Sequence, residues 1–570
     1  MAAVWGPRAE EIIEWAARYE AASVLPELVR RLLLATVHVE QLEMRSRSGV
    51  RLPGWDGVVV ARATSPFCPA GVSGWELSTA ANPKRKADQD IRKREAGSPP
   101  PIVPADASYV VVTAQRFRDK QRWVNEQKRR GAWGHDVKVI DADDLAMWLG
   151  QCPAVAHWFM AEQLGRPVSG WSDLRSWRRR WEQRTTPPLP AELVLVDREL
   201  QVVELERWLE RLGDAPGALL RIRAEQRDEA CLFLAAVVAS DQTDGSERWA
   251  NLEARTLVVE SRDAWRAATG LDTSVPLILI PTFSDFDPGE RSTRHAVVIP
   301  VDPSHGSRSS GELRIDEPLP WRALVPRLFA LFPRDDEAER HARESGGRLS
   351  VLQRALGGMQ KPSWVEQPRE QLVAMLLMGA WEPRRPGDAA IAETLGVAPH
   401  ALEGLCVELA NSPEPAITRE GEGWRWGSHA DAWRVLWDER VLSELEIDRF
   451  REIIEVVLGE DDPRYELPKD ERIYAFAQGK ALRHSEALRA GLAESLVRLS
   501  LADPQLEPVY HAPKGARLVG WMVAKLLGPR WTRWASLSEL LPMLAEAAPR
   551  AFLDALDESL RRDDGVAQLL

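Results

Sequence analysis

Asp56 and Glu76 stand at the ends of two short apolar runs, "WDGVVVA" (55–61) and "GWELSTA" (74–80), and Lys84 and Lys86 follow within ten residues of the second acid. Carboxylates beside hydrophobic strands are costly unless positive charge meets them. A divalent cation is one such charge. Acidic oxygens can hold Mg²⁺, which polarises a phosphate and lowers the pKa of an attacking water. A lysine then orients that water or offsets charge in the transition state. If the two runs pair as strands, the carboxylates come together, and "PGWDG" supplies a turn that points Asp56 out of the strand end. The chemistry implied is metal-dependent phosphodiester cleavage, with Asp56 and Glu76 holding Mg²⁺ or Mn²⁺.

Charge is unevenly spread. The 570-residue chain carries a net charge of −12, which speaks against a surface generally adapted to nucleic acid. Yet "KRKADQDIRKR" (84–94) sets six Lys/Arg against two Asp, and "KRRG" (128–131) and "WRRRWEQR" (177–184) are also basic. Such local patches can bind phosphates. Lys84, Arg85, Arg92, Lys93 and Arg94 are therefore candidate nucleic-acid contacts, against the alternative of a solvated helix face.

The elements that must position these residues follow from periodicity. Residues 8–44 read as two amphipathic helices. Strand-like runs follow at 57–63, 74–80, 108–115 and 136–142, with helical stretches at 84–95 and 118–130, which is α/β grammar. "WRRRWEQRTTPPLPAEL" reads as a linker, because its prolines stop the preceding helix. A second α/β pattern has apolar strands at 217–224, 255–261, 276–281 and 295–301 and a helix at 228–240, suggesting a parallel sheet covered on both faces. Two helices over 388–411 and a β-ribbon over 415–428, turning at "GEG", spell a winged helix. From 430 onward the chain reads as helical and stops abruptly, as a fragment of a longer protein would.

The order helix, Gly-x-Asp-Gly-strand, strand-Glu, helix, strand over about residues 8–160 resembles the PD-(D/E)XK nuclease superfamily, in particular its Mrr-like restriction branch. That resemblance gives Asp56 and Glu76 the metal-binding role and adds an acid from the preceding helix, Glu40 or Glu43. The superfamily's lysine usually stands two residues after the Glu, where this chain has Ser78. Some relatives carry a migrated lysine on the next helix, which implies Lys86, with Lys84 as the second choice. Gln115, at the end of "SYVVVTAQ", is a candidate DNA or supporting contact. The second α/β segment is similar to the core of STAND-type or AAA-like ATPases of bacterial defence proteins. Its equivalent of the phosphate loop, "RIRAEQRDEACLF" (221–233), has no glycine, and Asp228 and Glu229 stand where Lys-Ser/Thr would be, so no ATP is expected.

The fold class expected is α/β multidomain. A restriction-endonuclease-like domain spans 1–165, a linker 166–192 and a degenerate ATPase-like core with a parallel P-loop-like sheet 193–345. A helical and winged-helix domain covers 346–435, and an all-α sensor or scaffold 436–570. The implied function is a Mg²⁺-dependent DNA endonuclease effector of antiphage defence. Its implied partners are DNA and a protein, either a phage-derived trigger or a component of the same system, and a homo-oligomer is compatible. The rival readings are a catalytically inactive scaffold that binds nucleic acid or protein, and a winged-helix DNA-binding regulator. The helix "PHALEGLCVELAN" has two glutamates and no Lys or Arg, which argues against the regulator.

Other chemistries lack support. The four cysteines form no CxxC pair, which fits a reducing cytoplasm, and the ten histidines show no HExxH spacing. The 24 tryptophans read as core anchors rather than base-stacking platforms. No apolar run is long enough to span a membrane and the N-terminus shows no signal peptide, so a cytoplasmic protein without a membrane partner is expected.

Overall fold

The computed structural model describes residues 6–44, 54–97, 99–100, 102–166, 169–212, 217–240, 248–273, 275–283, 286–305, 311–332, 334–357, 361–501 and 515–569. Pro53 of the "PGWDG" turn, and Ser98 and Pro101 of the proline-rich loop after residue 96, lie outside the described residues. The chain is a mixed α/β, multidomain protein of two compact units. The first comprises Met1–Gln183, Pro190–Val301 and Arg308–Ile315; the second comprises Arg184–Leu189, Asp302–Ser307 and Asp316–Leu570. Residues 316–345, expected with the ATPase-like core, thus group with the second unit. Among the described residues no helix is long and apolar enough to cross a membrane.

The first unit opens with helices α1 (Ala9–Ala16) and α2 (Ala21–Thr36) and a five-stranded sheet in simple order, β1 (Val39–Met44), β2 (Gly57–Ala61), β3 (Gly71–Ser78), β4 (Ser108–Thr113) and β5 (Val137–Ile140). β1–β2 and β2–β3 pair antiparallel, whereas β3–β4 and β4–β5 are parallel. The parallel pairs need crossovers, and α3 (Pro83–Ala96) and α4 (Lys120–Arg130) supply them. The period of two sorts the sheet's two faces. Val59, Trp75, Val110 and Val112 pack with α1 and α2 and with α5 (Ala142–Gly150) and α6 (Pro153–Trp158). Val58, Tyr109 and Val111 pack with Trp55, with Ala87 and Ile91 of α3, and with Trp123 and Val124 of α4. Gly74 has a definite reason: a Cβ there would lie 2.7 Å from the Trp55 ring, so only glycine lets that ring lie over the sheet.

One expectation fails here. Residues 39–44 are an edge strand, not the end of the second helix. Alternation holds over its "QLEM" part, after a register shift between Val39 and Gln41, and its pairing with β2 covers the edge of β2 that more helix would leave open.

The second sheet, in the same unit, contains β6 (Trp171–Asp173), β7 (Leu219–Arg223), β8 (Thr256–Val259), β9 (Ile278–Pro281), β10 (Ala296–Val301) and β11 (Glu312–Arg314). Its order is β11-β7-β10-β9-β8-β6, parallel throughout except for β6, which lies antiparallel on β8. Its helices include α7 (Leu174–Glu182), α8 (Glu199–Leu212), α9 (Arg227–Ser240) and α10 (Arg262–Thr269). The interval 166–192, expected as a linker, holds β6 and α7. Asp173 caps α7 by accepting from the Ser176 N–H at 2.9 Å, and Trp177 and Trp181 are buried at its i, i+4 positions.

In the second unit, helices Pro386–Thr394 and Pro399–Ala410 lead into a three-stranded sheet of order β12-β14-β13, formed by β12 (Ala380–Trp381), β13 (Ile417–Glu420) and β14 (Gly423–Trp426). Gly421, at φ +59°, makes the expected tight turn. The remaining elements described in this unit are helices and short 3₁₀ turns, and one hydrophobic core runs from Trp364 to Ala548.

Candidate active site

Antiparallel register brings the two acids together. Gly57 pairs with Trp75, so the next facing positions are Asp56 and Glu76, on the same side of the sheet as Val58, Tyr109 and α3. The Leu77 N–H donates to Asp56 Oδ2 at 2.9 Å and fixes that carboxylate across the strand ends.

α3 covers the pair. Asn82 starts the helix by accepting from the Arg85 N–H at 3.0 Å, and Pro83 occupies the first turn, where its missing N–H costs nothing. Lys86, Asp90 and Arg94 then recur at i, i+4 and i+8 along one stripe. Lys86 Nζ donates to Asp90 Oδ1. Arg94 donates from Nε to Glu76 Oε1 and from Nη2 to the Gly54 carbonyl, and its guanidinium lies 4.6 Å from the centre of the Trp55 ring.

Positive charge nevertheless falls short. Burial pushes the Glu76 carboxyl up to about 7, and the neighbouring Asp56 adds to that, outweighing Arg94. Burial likewise raises Asp56, with a contribution from Asp90, despite the Leu77 N–H and the charges of Lys86 and Arg94. Tyr109, fully buried beneath the acids, has a hydroxyl with no hydrogen-bond partner among the described residues. Its pKa is raised by burial and then by Glu76, Asp90 and Asp56. No hydrogen bond among the described residues reaches Asp56 Oδ1 or Glu76 Oε2. These free oxygens suit a hard cation. Among the described residues no group of three His, Cys, Asp or Glu side chains forms a ready metal cage. Two carboxylates with water and substrate phosphate are a common set for Mg²⁺, so the residues fit it.

The other candidates separate. Lys84 donates to Asp88 at 3.0 Å, and Asp88 also accepts from Trp123 Nε1 at 2.7 Å, which ties that lysine to the α3–α4 packing. Arg85, Arg92 and Lys93 are exposed on α3. Arg94 is not: it is buried on Glu76, and the expected surface contact becomes part of the carboxylate site. Glu40 also departs from expectation. It lies on β1 near the Ala61 end of β2, roughly 15 Å along the strand from Asp56, and accepts from Arg62 Nε at 3.1 Å. Glu43, opposite Val58 on the same strand, accepts from Gln41 Nε2 at 2.8 Å. Gln115 follows β4, where its N–H donates to Thr113 Oγ1 at 3.2 Å and its carbonyl accepts from the Ala142 N–H at 3.2 Å. Ser78 Oγ accepts from the Ala80 N–H at 3.0 Å, a local turn contact. Asp90 and Tyr109 escaped sequence reading, although the i, i+4 spacing of Lys86, Asp90 and Arg94 was a usable signal for the first.

In the second sheet, the turn between β7 and α9 holds buried Glu225, and Glu229 in the first turn of α9 pairs with Arg198 Nη2 at 3.0 Å. The exposed face of helix Pro399–Ala410 presents His400, Glu403 and Glu408. No protein-family model matches this chain, and no curated protein matches it either.

Proposed function

We propose that the first unit hydrolyses phosphodiester bonds in DNA at Asp56 and Glu76 with a divalent metal, Mg²⁺ or Mn²⁺. The observation that carries this reading is the facing pair itself: two carboxylates, each raised in pKa, each with one oxygen uncommitted among the described residues, and backed by the Tyr109 hydroxyl, which has no hydrogen-bond partner among them. When bound, the metal supplies polarisation of the phosphate and acidification of the attacking water. Asp56 would hold it through Oδ1 and Glu76 through Oε2. Lys86 stands over Asp56 and favours its ionised form. In the reaction it offsets the charge that develops on the phosphate. The exposed Lys84, Arg85, Arg92 and Lys93 of α3 offer the nucleic-acid backbone its counter-charge. The PD-(D/E)XK resemblance agrees with this assignment. By the same analogy the second sheet serves as a scaffold without nucleotide, and the helical unit senses a protein partner in a defence system.

A second reading has its own support. The Arg94–Glu76 pair is almost fully enclosed, and a buried pair of this kind can be purely structural. The domain would then be a non-catalytic binding module. The deciding experiment incubates the full chain with supercoiled and linear DNA, with Mg²⁺, Mn²⁺ or EDTA, beside D56N, E76Q and K86M. Metal-dependent cutting lost in D56N and E76Q supports the nuclease. Absence of cutting by the wild type together with absence of metal binding supports the module, and cutting equally retained in both variants overturns Asp56 and Glu76 as its site.

A further inference from the structure

The geometry points to Arg94 as a built-in counter-ion that occupies the carboxylate pair and must release Glu76 before a divalent cation binds there, an inference that rests on reading this pair as a metal site. α3 carries a run of basic residues, and most of them face solvent. Arg94 alone of the terminal trio Arg92, Lys93 and Arg94 turns inward, with its side chain 5% exposed. It sits in the last turn of α3, where the helix dipole favours a cation. Its guanidinium donates to Glu76 Oε1, the oxygen beside the one left free for a metal.

Three features make this an exchange rather than a fixed strut. Arg94 has two further anchors, the Gly54 carbonyl and the Trp55 ring, so it keeps a place after losing Glu76. Lys86, the other cation of the stripe, is already committed to Asp90 and cannot replace it on Glu76 without leaving that partner. A divalent ion drawn to Glu76 would meet the guanidinium at close range, and like charges disfavour joint occupancy. The apparent metal affinity is then the intrinsic affinity scaled by the fraction of molecules in which Arg94 is off Glu76.

The test is titration of Mn²⁺ into the full chain by calorimetry and by the Mn²⁺ electron paramagnetic resonance signal, for wild type, R94M and R94K. Roughly pH 8.5 limits proton competition for the acids once their arginine is gone. R94M keeps an apolar stem against Trp55. It is expected to bind one Mn²⁺ about tenfold tighter or more, and to lose that binding when D56N or E76Q is added. R94K, whose ammonium cannot reach Glu76 and Gly54 together, is expected to fall between. Near-ultraviolet circular dichroism and Tm establish that each variant is folded. A folded R94M that binds Mn²⁺ no tighter than wild type, while wild type binds through Asp56 and Glu76, overturns the exchange and leaves the metal site standing. If R94M fails to fold, an R94K affinity equal to that of wild type overturns it. Absence of any Mn²⁺ binding sensitive to D56N, in wild type and variants alike, removes the metal site and the exchange together.

Discussion

Asp56 and Glu76 face each other one position beyond the Gly57–Trp75 pair of β2 and β3, and burial with mutual repulsion holds the Glu76 carboxyl near 7. A carboxyl raised in the folded state binds its proton more tightly than in the unfolded chain. The stability it contributes is complete below its unfolded pKa of about 4.5 and is lost as pH rises through about 7. In EDTA, the first unit is therefore expected to lose up to about 3 kcal/mol between pH 4.5 and 7.5 from this group. E76Q should flatten that slope, leaving the smaller part contributed by Asp56, whose shift has the same sign. Urea unfolding at a series of pH values measures it. A wild-type slope identical to that of E76Q would show that Glu76 is ionised throughout.

Replacing Asp56 separates chemistry from architecture. In D56N the side-chain oxygen can still accept from the Leu77 N–H, now 2.9 Å from Oδ2, while the repulsion on Glu76 disappears. Stability should be unchanged or higher by up to about 1 kcal/mol, yet metal-dependent cleavage should fall by about 100-fold or more. D56A leaves that N–H without its acceptor and should cost about 1–2 kcal/mol as well. Comparison of the Tm and cleavage rates of the two variants checks this.

The two candidate lysines have different neighbours, and their variants should behave differently. Lys84 is held in an exposed i, i+4 pair with Asp88, on the side of α3 that meets Trp123. K84A should cost less than about 1 kcal/mol and leave cleavage within a few-fold, apart from a modest weakening of DNA binding. Lys86 stands in the stripe above Asp56, and K86M should lower the single-turnover cleavage rate by about 100-fold at saturating DNA. Single-turnover rates for both variants discriminate. A larger loss in K84A than in K86M would reverse the assignment.

The strands and helices of the first unit were legible because their signals are local. "GVVVA" and "SYVVVT" lie where apolar runs place them, and the helix over 83–96 matches the stretch expected at 84–95. The pairing of Asp56 with Glu76 was legible as well, since two short strands joined by one loop tend to pair. The role of Arg94 was not. Its composition is that of a surface charge run, and its burial depends on Trp55 and Gly54, forty residues earlier in the chain. Glu40 misled for the converse reason: "VEQLEM" can continue a helix in isolation, and only the unpaired edge of β2 makes it a strand. β6 and β11, three residues each, carry too little periodicity to be seen before the sheet they extend is known.

The β7–α9 turn yields the last prediction. The N-terminus of α9, where a phosphate would otherwise find free N–H groups, carries Asp228 and Glu229 in its first turn. Glu229 is held by Arg198, whose guanidinium also donates to the Ile315 carbonyl at 2.8 Å and to the Val194 carbonyl at 3.0 Å. This cluster ties α9 to the segments before α8 and after β11, so Arg198 stabilises the sheet from three sides. R198M removes the Arg198 ion pair from the buried Glu229 carboxylate and should destabilise the first unit by about 3 kcal/mol. The double variant R198M/E229Q should recover a large part of that loss, because the buried negative charge that Arg198 offset is gone. ATP with Mg²⁺ should leave the Tm of the wild type unchanged, since acids at this helix end repel the triphosphate. Thermal unfolding of the wild type and both variants, with and without millimolar nucleotide, tests each statement. A rise in Tm with ATP that R198M abolishes would make this turn a nucleotide site after all.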